Sequence, residues 1–170
     1  LTAFAMLAQR RLNGLIHLFA WQGLLLSVNT AIVGFVASRH HLYISSVLTL
    51  GLKVVLLPYI LHVLIRRLRI HKEIEVVVNV PMTMMIGIAL VVFSYHLTAP
   101  IMELSSMVTR STLAVALATV LIGLLMMITR RHAVTQIIGF LALENGLFFA
   151  ATSATYGMPL VVELGVALDV

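Results

Sequence analysis

TQIIGFLALENGLFFAATSATY, residues 135–156, is an almost unbroken apolar stretch with one formal charge, Glu144, near its centre. A hydrocarbon core about 30 Å thick is crossed by about 20 helical residues rising 1.5 Å each, so this stretch has the length of a membrane span. It is continuously apolar rather than alternating, which suits a helix whose backbone bonds close within the segment and disfavours a strand of a β-barrel. Working outward, comparable segments occupy 14–37, 43–65, 76–97 and 112–129, separated by charged or Pro/Gly-marked breaks. Leu1–Ala8 (LTAFAMLA) and Pro159–Val170 (PLVVELGVALDV) are apolar but too short to cross, and are read as parts of two further spans. The prediction is an all-α polytopic transmembrane helix bundle, one domain over 1–170 with about seven spans, the first and last truncated in this chain.

Composition agrees. Of the 170 residues 61% are hydrophobic and 10% charged, and the mean hydropathy is +1.11. Eleven basic and six acidic side chains are too few to solvate the surface of a soluble domain of this size, so most of the outer face meets lipid or apolar neighbours. The net charge of +5 sits in short runs between apolar segments, which is the pattern of topology signals and not of a nucleic-acid-binding surface. With no cysteine, the chain forms no disulfide, thiolate-held zinc site or cysteine-ligated iron–sulfur cluster of its own.

A seven-span arrangement places successive loops on opposite faces, and the basic residues divide accordingly. Arg10, Arg11, Arg66, Arg67, Arg69, Lys72, Arg130 and Arg131 fall on one side, Arg39 and Arg110 on the other. By the positive-inside rule the loops 9–11, 66–72 and 130–132 are expected in the cytoplasm and the chain in the cell inner membrane. An internal repeat is also expected, with units at about 1–70 and 112–170 joined by a linking helix at about 76–97. In each unit a basic loop precedes a span with a polar midpoint (Gln22, Glu144), then a turn and a span with an ionised midpoint (Lys53, Asp169); TLGLKV (49–54) aligns with GVALDV (165–170).

Lys53 lies about ten residues into its span, some ~15 Å deep, too far to snorkel. A cation there costs at least about 2.5–3.5 kcal/mol on insertion scales and needs a partner, a carbonyl or water. Pro58, five residues on, is expected to kink the helix and free the carbonyl of Val54. Glu144, flanked by Asn145 and Gly146, and Asp169 reach the same depth. Three ionisable groups at one depth suit lateral proton transfer; a static ion pair between helices is the alternative. His62 stands nine residues after Lys53 toward the basic side and could continue such a path, or simply bond at a helix end. His17 and His96 are weaker candidates, and the scattered histidines suggest no metal site. Met82, Met84, Met85, Met126 and Met127 read as packing residues.

LKVVLLPYI (52–60), RRHAVTQIIGFLALENGLFF (130–149) and VELGVALDV (162–170) resemble the hydrogenase-4 component E family, membrane subunits of group 4 [NiFe]-hydrogenase and formate hydrogenlyase-type complexes. The second half of that family is similar to the small K-type subunit of respiratory complex I and to the C-type subunit of multi-subunit cation/proton antiporters. In the K-type subunit two successive helices each hold a buried glutamate in the proton path; the resemblance carries these onto Glu144 and Asp169, and the repeat carries them onto Gln22 and Lys53. Gln22 does not titrate and can only hydrogen-bond or hold water.

The resemblance implies a non-catalytic subunit contributing to proton translocation or its coupling through Lys53, Glu144, Asp169, His62 and Gln22. It also implies antiporter-like proton-pumping subunits, a membrane anchor subunit and a peripheral hydrogenase arm as partners. Nickel–iron and iron–sulfur centres belong to those partners, with no cofactor expected in this chain. A structural scaffold with static intramembrane ion pairs, and an independent cation/proton antiporter component, are the alternatives.

Overall fold

The computed structural model describes residues 1–36, 47, 50–68, 78–99 and 107–155, and all regular elements among them are helical. In chain order they are α1 (Thr2–Ala8), α2 (Leu12–Val36), a π-helical segment (Leu50–Leu56) running directly into α3 (Leu57–Leu68), α4 (Val80–Thr98), α5 (Met107–Thr129) and α6 (Ala133–Thr155). Four of them are long and apolar enough to cross a bilayer: α2 over Leu12–Val33, α4, α5 over Thr112–Thr129, and α6 over Ala133–Thr152. The protein is a helical membrane bundle, as the hydropathy predicts. The span expected at 43–65 corresponds, where described, to the π-helical segment and α3.

The four long spans are apolar all round, so their lipid-facing and interior surfaces differ in residue size more than in polarity. The tightest packing is the α5–α6 hairpin, closed by the short link Arg130–His132. A Cβ at Gly123 would stand 2.7 Å from the backbone N of Leu143, and one at Gly146 would stand 3.0 Å from the backbone N of Val120. The two backbones touch there, a contact that only glycine permits, and dispersion across it replaces the hydrophobic drive that lipid removes. α6 is the most enclosed span, with 56% of its residues buried against 22% for α4. Met126 on α5 is fully buried as expected of a packing residue, whereas Met82 and Met85 on α4 point outward, because α4 touches the bundle through one narrow face of Thr83, Gly87 and Ser94.

α2 and α6 run parallel, both starting at the end that carries Arg10, Arg11, Arg130 and Arg131; α3 and α5 run back toward it. This end is the basic face of the bundle. A contiguous apolar cluster fills that half of the bundle: Leu12, Leu15, Ile16 and Phe19 of α2, Leu61 and Ile65 of α3, Ile122, Leu125 and Met126 of α5, and Val134, Ile138, Leu141 and Ala142 of α6, with Met6 and Leu7 of α1. Toward the opposite face the buried apolar side chains are fewer and mostly smaller: Leu26 of α2, Ala114, Ala116 and Ala118 of α5, and Phe148 of α6.

Arg130, a topology signal in the sequence, has a second role in the fold. It is 2% exposed, and its Nη2 donates to the carbonyls of Met6 (3.2 Å) and Leu7 (2.8 Å) at the end of α1. Both carbonyls lie at the negative end of the helix, where a cation belongs; the Met6 carbonyl also accepts from the Gln9 N–H at 3.3 Å. Gln136 donates in turn to the Arg130 carbonyl at 2.9 Å. Burial pulls the Arg130 guanidinium below its ordinary pKa, though an arginine stays charged throughout the accessible range.

Candidate functional site in the membrane interior

The site begins with a defect in a helix. Pro58 has no N–H and cannot donate to the carbonyl four residues back. In the structure the residues preceding it widen into a π-helical turn, Leu50–Leu56, and Pro58 takes the second position of α3, where the missing donor does no harm. Such widened turns inside helices recur at functional sites, and here the turn holds Lys53 near its middle. It also rephases the helix. In a continuous α-helix, residues nine apart stand about two and a half turns apart and point to opposite sides, yet both Lys53 and His62 face α2. A Cβ at Gly23 of α2 would lie 3.4 Å from Lys53 Cβ, and the His62 ring meets that of His17 of α2 edge-on at 6.0 Å.

Lys53 is 3% exposed. Lying against the bare backbone at Gly23, it extends to α6, where its Nζ donates to Glu144 Oε1 at 2.8 Å and to Asn145 Oδ1 at 2.9 Å. The Phe148 ring, one turn further along α6, lies with its centroid 5.8 Å from the same nitrogen, within cation–π range. The buried ion pair Lys53–Glu144 is therefore held from three elements: α2 by close approach, the π-helical segment by the lysine, and α6 by carboxylate, amide and ring. Three polar atoms around it are buried without a protein partner: Glu144 Oε2, Asn145 Nδ2 and Gln22 Oε1. A proton can pass between Nζ and Oε1 at the observed separation, and the unpartnered atoms supply further acceptors and a donor.

Among the residues singled out by sequence, Lys53 and Glu144 are brought into direct contact. Gln22 is buried beside Gly23 at the same level. His62 stands apart from them: its Nδ1 bonds the Pro58 carbonyl at 2.9 Å, and His17 makes the equivalent bond to Asn13 O at 2.6 Å. Asp169 lies outside the described residues, as does the rest of 156–170, the last part of the second repeat unit expected at about 112–170. Asn145 and Phe148 join the site only in the structure. Their spacing held the signal, since Asn145 adjoins Glu144 and Phe148 is one helical turn from it. No group of three or more potential metal ligands occurs among the described residues.

Two comparisons return nothing: no family model matches the chain, and no solved structure matches it significantly. Over 163 residues, 95% of this chain and 74% of the relative, it is 34% identical to the protein named "Uncharacterized protein Rv0085" of Mycobacterium tuberculosis. The chain belongs to the Rv0085 family. The Rv0085-family chain is also distantly similar to "Hydrogenase-4 component E" of Escherichia coli K12, with 26% identity over 151 residues, 89% of this chain and 70% of the relative, and equally to the protein of that name in Shigella flexneri. Matches of this extent run across both Lys53 and Glu144, so the likeness takes in the whole site region.

Proposed function

We propose that this chain is a non-catalytic integral membrane subunit of a multi-subunit hydrogenase-like, complex I-related redox complex, in which the Lys53–Glu144 pair carries protons or their electrostatic coupling through the membrane arm. One observation supports this above the rest: an ion pair at mid-depth, enclosed by the bundle, surrounded by buried polar atoms that the protein leaves unpartnered. A pair serving only as a clasp is most stable when every donor and acceptor around it is satisfied. A pair that changes protonation needs spare acceptors and a spare donor beside it. The distant likeness to hydrogenase-4 component E supplies the setting.

On this reading, Glu144 and Lys53 exchange the proton, Asn145 holds the lysine in place as charge moves, and Gln22 offers a non-titrating hydrogen bond. Asp169 would extend the file in the membrane plane, and His62 with His17 would serve the basic side. The partners would be antiporter-like pumping subunits, an anchor subunit and a peripheral arm carrying the nickel–iron and iron–sulfur centres. The basic loops would face the cytoplasm from the inner membrane.

The three-way grip on Lys53 by Glu144, Asn145 and Phe148 favours a second reading, a static scaffold. Purifying the complex from membranes and measuring proton uptake for Lys53→Met and Glu144→Gln separates the two. The relay reading expects assembled complexes that have lost coupling, together with co-purifying hydrogenase-type subunits. Normal coupling in assembled variants would leave the scaffold reading.

A further inference from the structure

The buried polar groups of the spans are distributed unevenly along the bundle axis. From the level of Lys53 and Glu144 to the basic face, the interior between α2, α3, α5 and α6 is filled by the large aliphatic and aromatic side chains of the apolar cluster, Phe19, Ile138 and Leu141 among them. The buried hydroxyls at that end, Thr129 and Thr135, donate to carbonyls of nearby residues in the chain. His17 and His62 lie at the margin of this layer, each tied to the carbonyl four residues back on its own helix.

The other half is different. Continuing along α2 from Gln22, the polar residues Asn29 and Thr30 follow at seven and eight positions, on the same side of the helix. Along α6, Thr152 follows Asn145 by seven and Glu144 by eight. Gln22 and Glu144 are each 8% exposed, Asn145 is 2%, Thr152 is 1% and Thr30 is fully buried. Gln22 Oε1, Asn29 Nδ2, Glu144 Oε2 and Asn145 Nδ2 have no protein partner. Thr30 and Thr152 donate their hydroxyl protons to the carbonyls of Leu26 and Phe148, which leaves their oxygens free to accept. Where α5 packs on α6 in this half the contact is through small residues, a Cβ on Gly146 standing 3.1 Å from the Ala116 carbonyl, and the large buried side chains of α2 and α6 here are Leu26 and Phe148. Orphaned polar atoms in series are what a file of water molecules bonds to, and an apolar plug is what stops one.

We propose that the Lys53–Glu144 pair opens to water on one side only, through a half-channel between α2 and α6 lined by Gln22, Asn29, Thr30, Asn145 and Thr152, leading to the face opposite the basic loops. The apolar layer seals the pair from the basic face within this chain. Protons then enter or leave the pair from the opposite face, and onward transfer runs sideways in the membrane plane or into a neighbouring subunit. The inference deepens the relay reading by giving the site a sidedness.

The absence of native cysteine makes the test direct. Single cysteines are placed at Thr30 and Thr152 in the path, at Ile16 and Ile138 in the apolar layer, and at Arg131 as a marker of the basic face. Each variant is expressed with its full complex, treated from either side with a membrane-impermeant methanethiosulfonate, and this chain is weighed by mass spectrometry. The expected result is reaction at residues 30 and 152 only from the side opposite that which labels residue 131, and none at 16 or 138. Reaction at 30 and 152 from the residue-131 side, or no more reaction there than at 16 and 138, overturns the half-channel. Access is read without proton transport, so a dry path leaves the relay to the uptake assay. Normal uptake by Lys53→Met would sink the relay without altering the labelling result.

Discussion

Lys53 Nζ and Glu144 Oε1 meet at 2.8 Å across 91 residues of sequence, joining the π-helical segment to α6 in the middle of the bundle. Removing one partner strands the other as an uncompensated charge, which typically destabilises by about 3–5 kcal/mol, whereas replacing both with apolar residues of similar volume is often neutral. Lys53→Met and Glu144→Leu are each expected to lower the thermal midpoint of the purified complex, and the double variant to regain most of that loss. A double variant as unstable as the sum of the singles would show that the two side chains do not interact.

The α5–α6 contact should be far less tolerant than the contact beneath Lys53. A methyl group at Gly123 meets backbone at 2.7 Å, while one at Gly23 meets Lys53 Cβ and Val54 Cγ2 at 3.4 Å. Overpacking of the first kind costs about 1–3 kcal/mol. Gly123→Ala is therefore expected to destabilise clearly and Gly23→Ala hardly at all, with Gly23→Leu displacing the π-helical segment. Detergent-resistance or thermal-shift measurements on the three variants decide it.

Arg130 and Arg131 are adjacent arginines with opposite fates. The first is buried and bonded to α1; the second is exposed. Arg130→Ala is expected to destabilise by a few kcal/mol through lost charge-assisted bonds, and Arg131→Ala to stay within about 0.5 kcal/mol. The depressed pKa of Arg130 means the folded state binds its proton less tightly than the unfolded state. Its linked stability therefore rises with pH only in the strongly alkaline range. Denaturation midpoints of wild type and Arg130→Ala should consequently differ by a constant amount across neutral pH; a difference that varies there would contradict this account.

Pro58 sets the phase of the lysine. Proline-to-alanine changes in a helix ordinarily stabilise it, but here Pro58→Ala is expected to let the π-helical turn close into α-helix and rotate Lys53 relative to His62. The expected outcome is lower stability of the variant and loss of its sensitivity to Glu144→Gln. A more stable protein that still responds to Glu144→Gln would show that the turn does not depend on the proline.

Much of this protein was legible without tertiary structure. Whether a segment crosses a bilayer depends on its length and apolarity, and how deep a residue sits depends on counting from the segment's end. Both are local quantities, so the helical membrane bundle and the mid-depth positions of Lys53, Glu144 and Gln22 could be read directly. Direction around the helix axis is not local. It is set by which backbones approach through Gly23, Gly123 and Gly146 and by one extra residue per turn ahead of Pro58. In an apolar solvent, neither choice leaves a hydrophobic stripe in the sequence to mark the inward face. The meeting of Lys53 with Glu144, Asn145 and Phe148, the burial of Arg130 against α1, and the gathering of unpartnered polar atoms beside the ion pair were decided only by packing the helices together, because each depends on groups from more than one helix sharing one level.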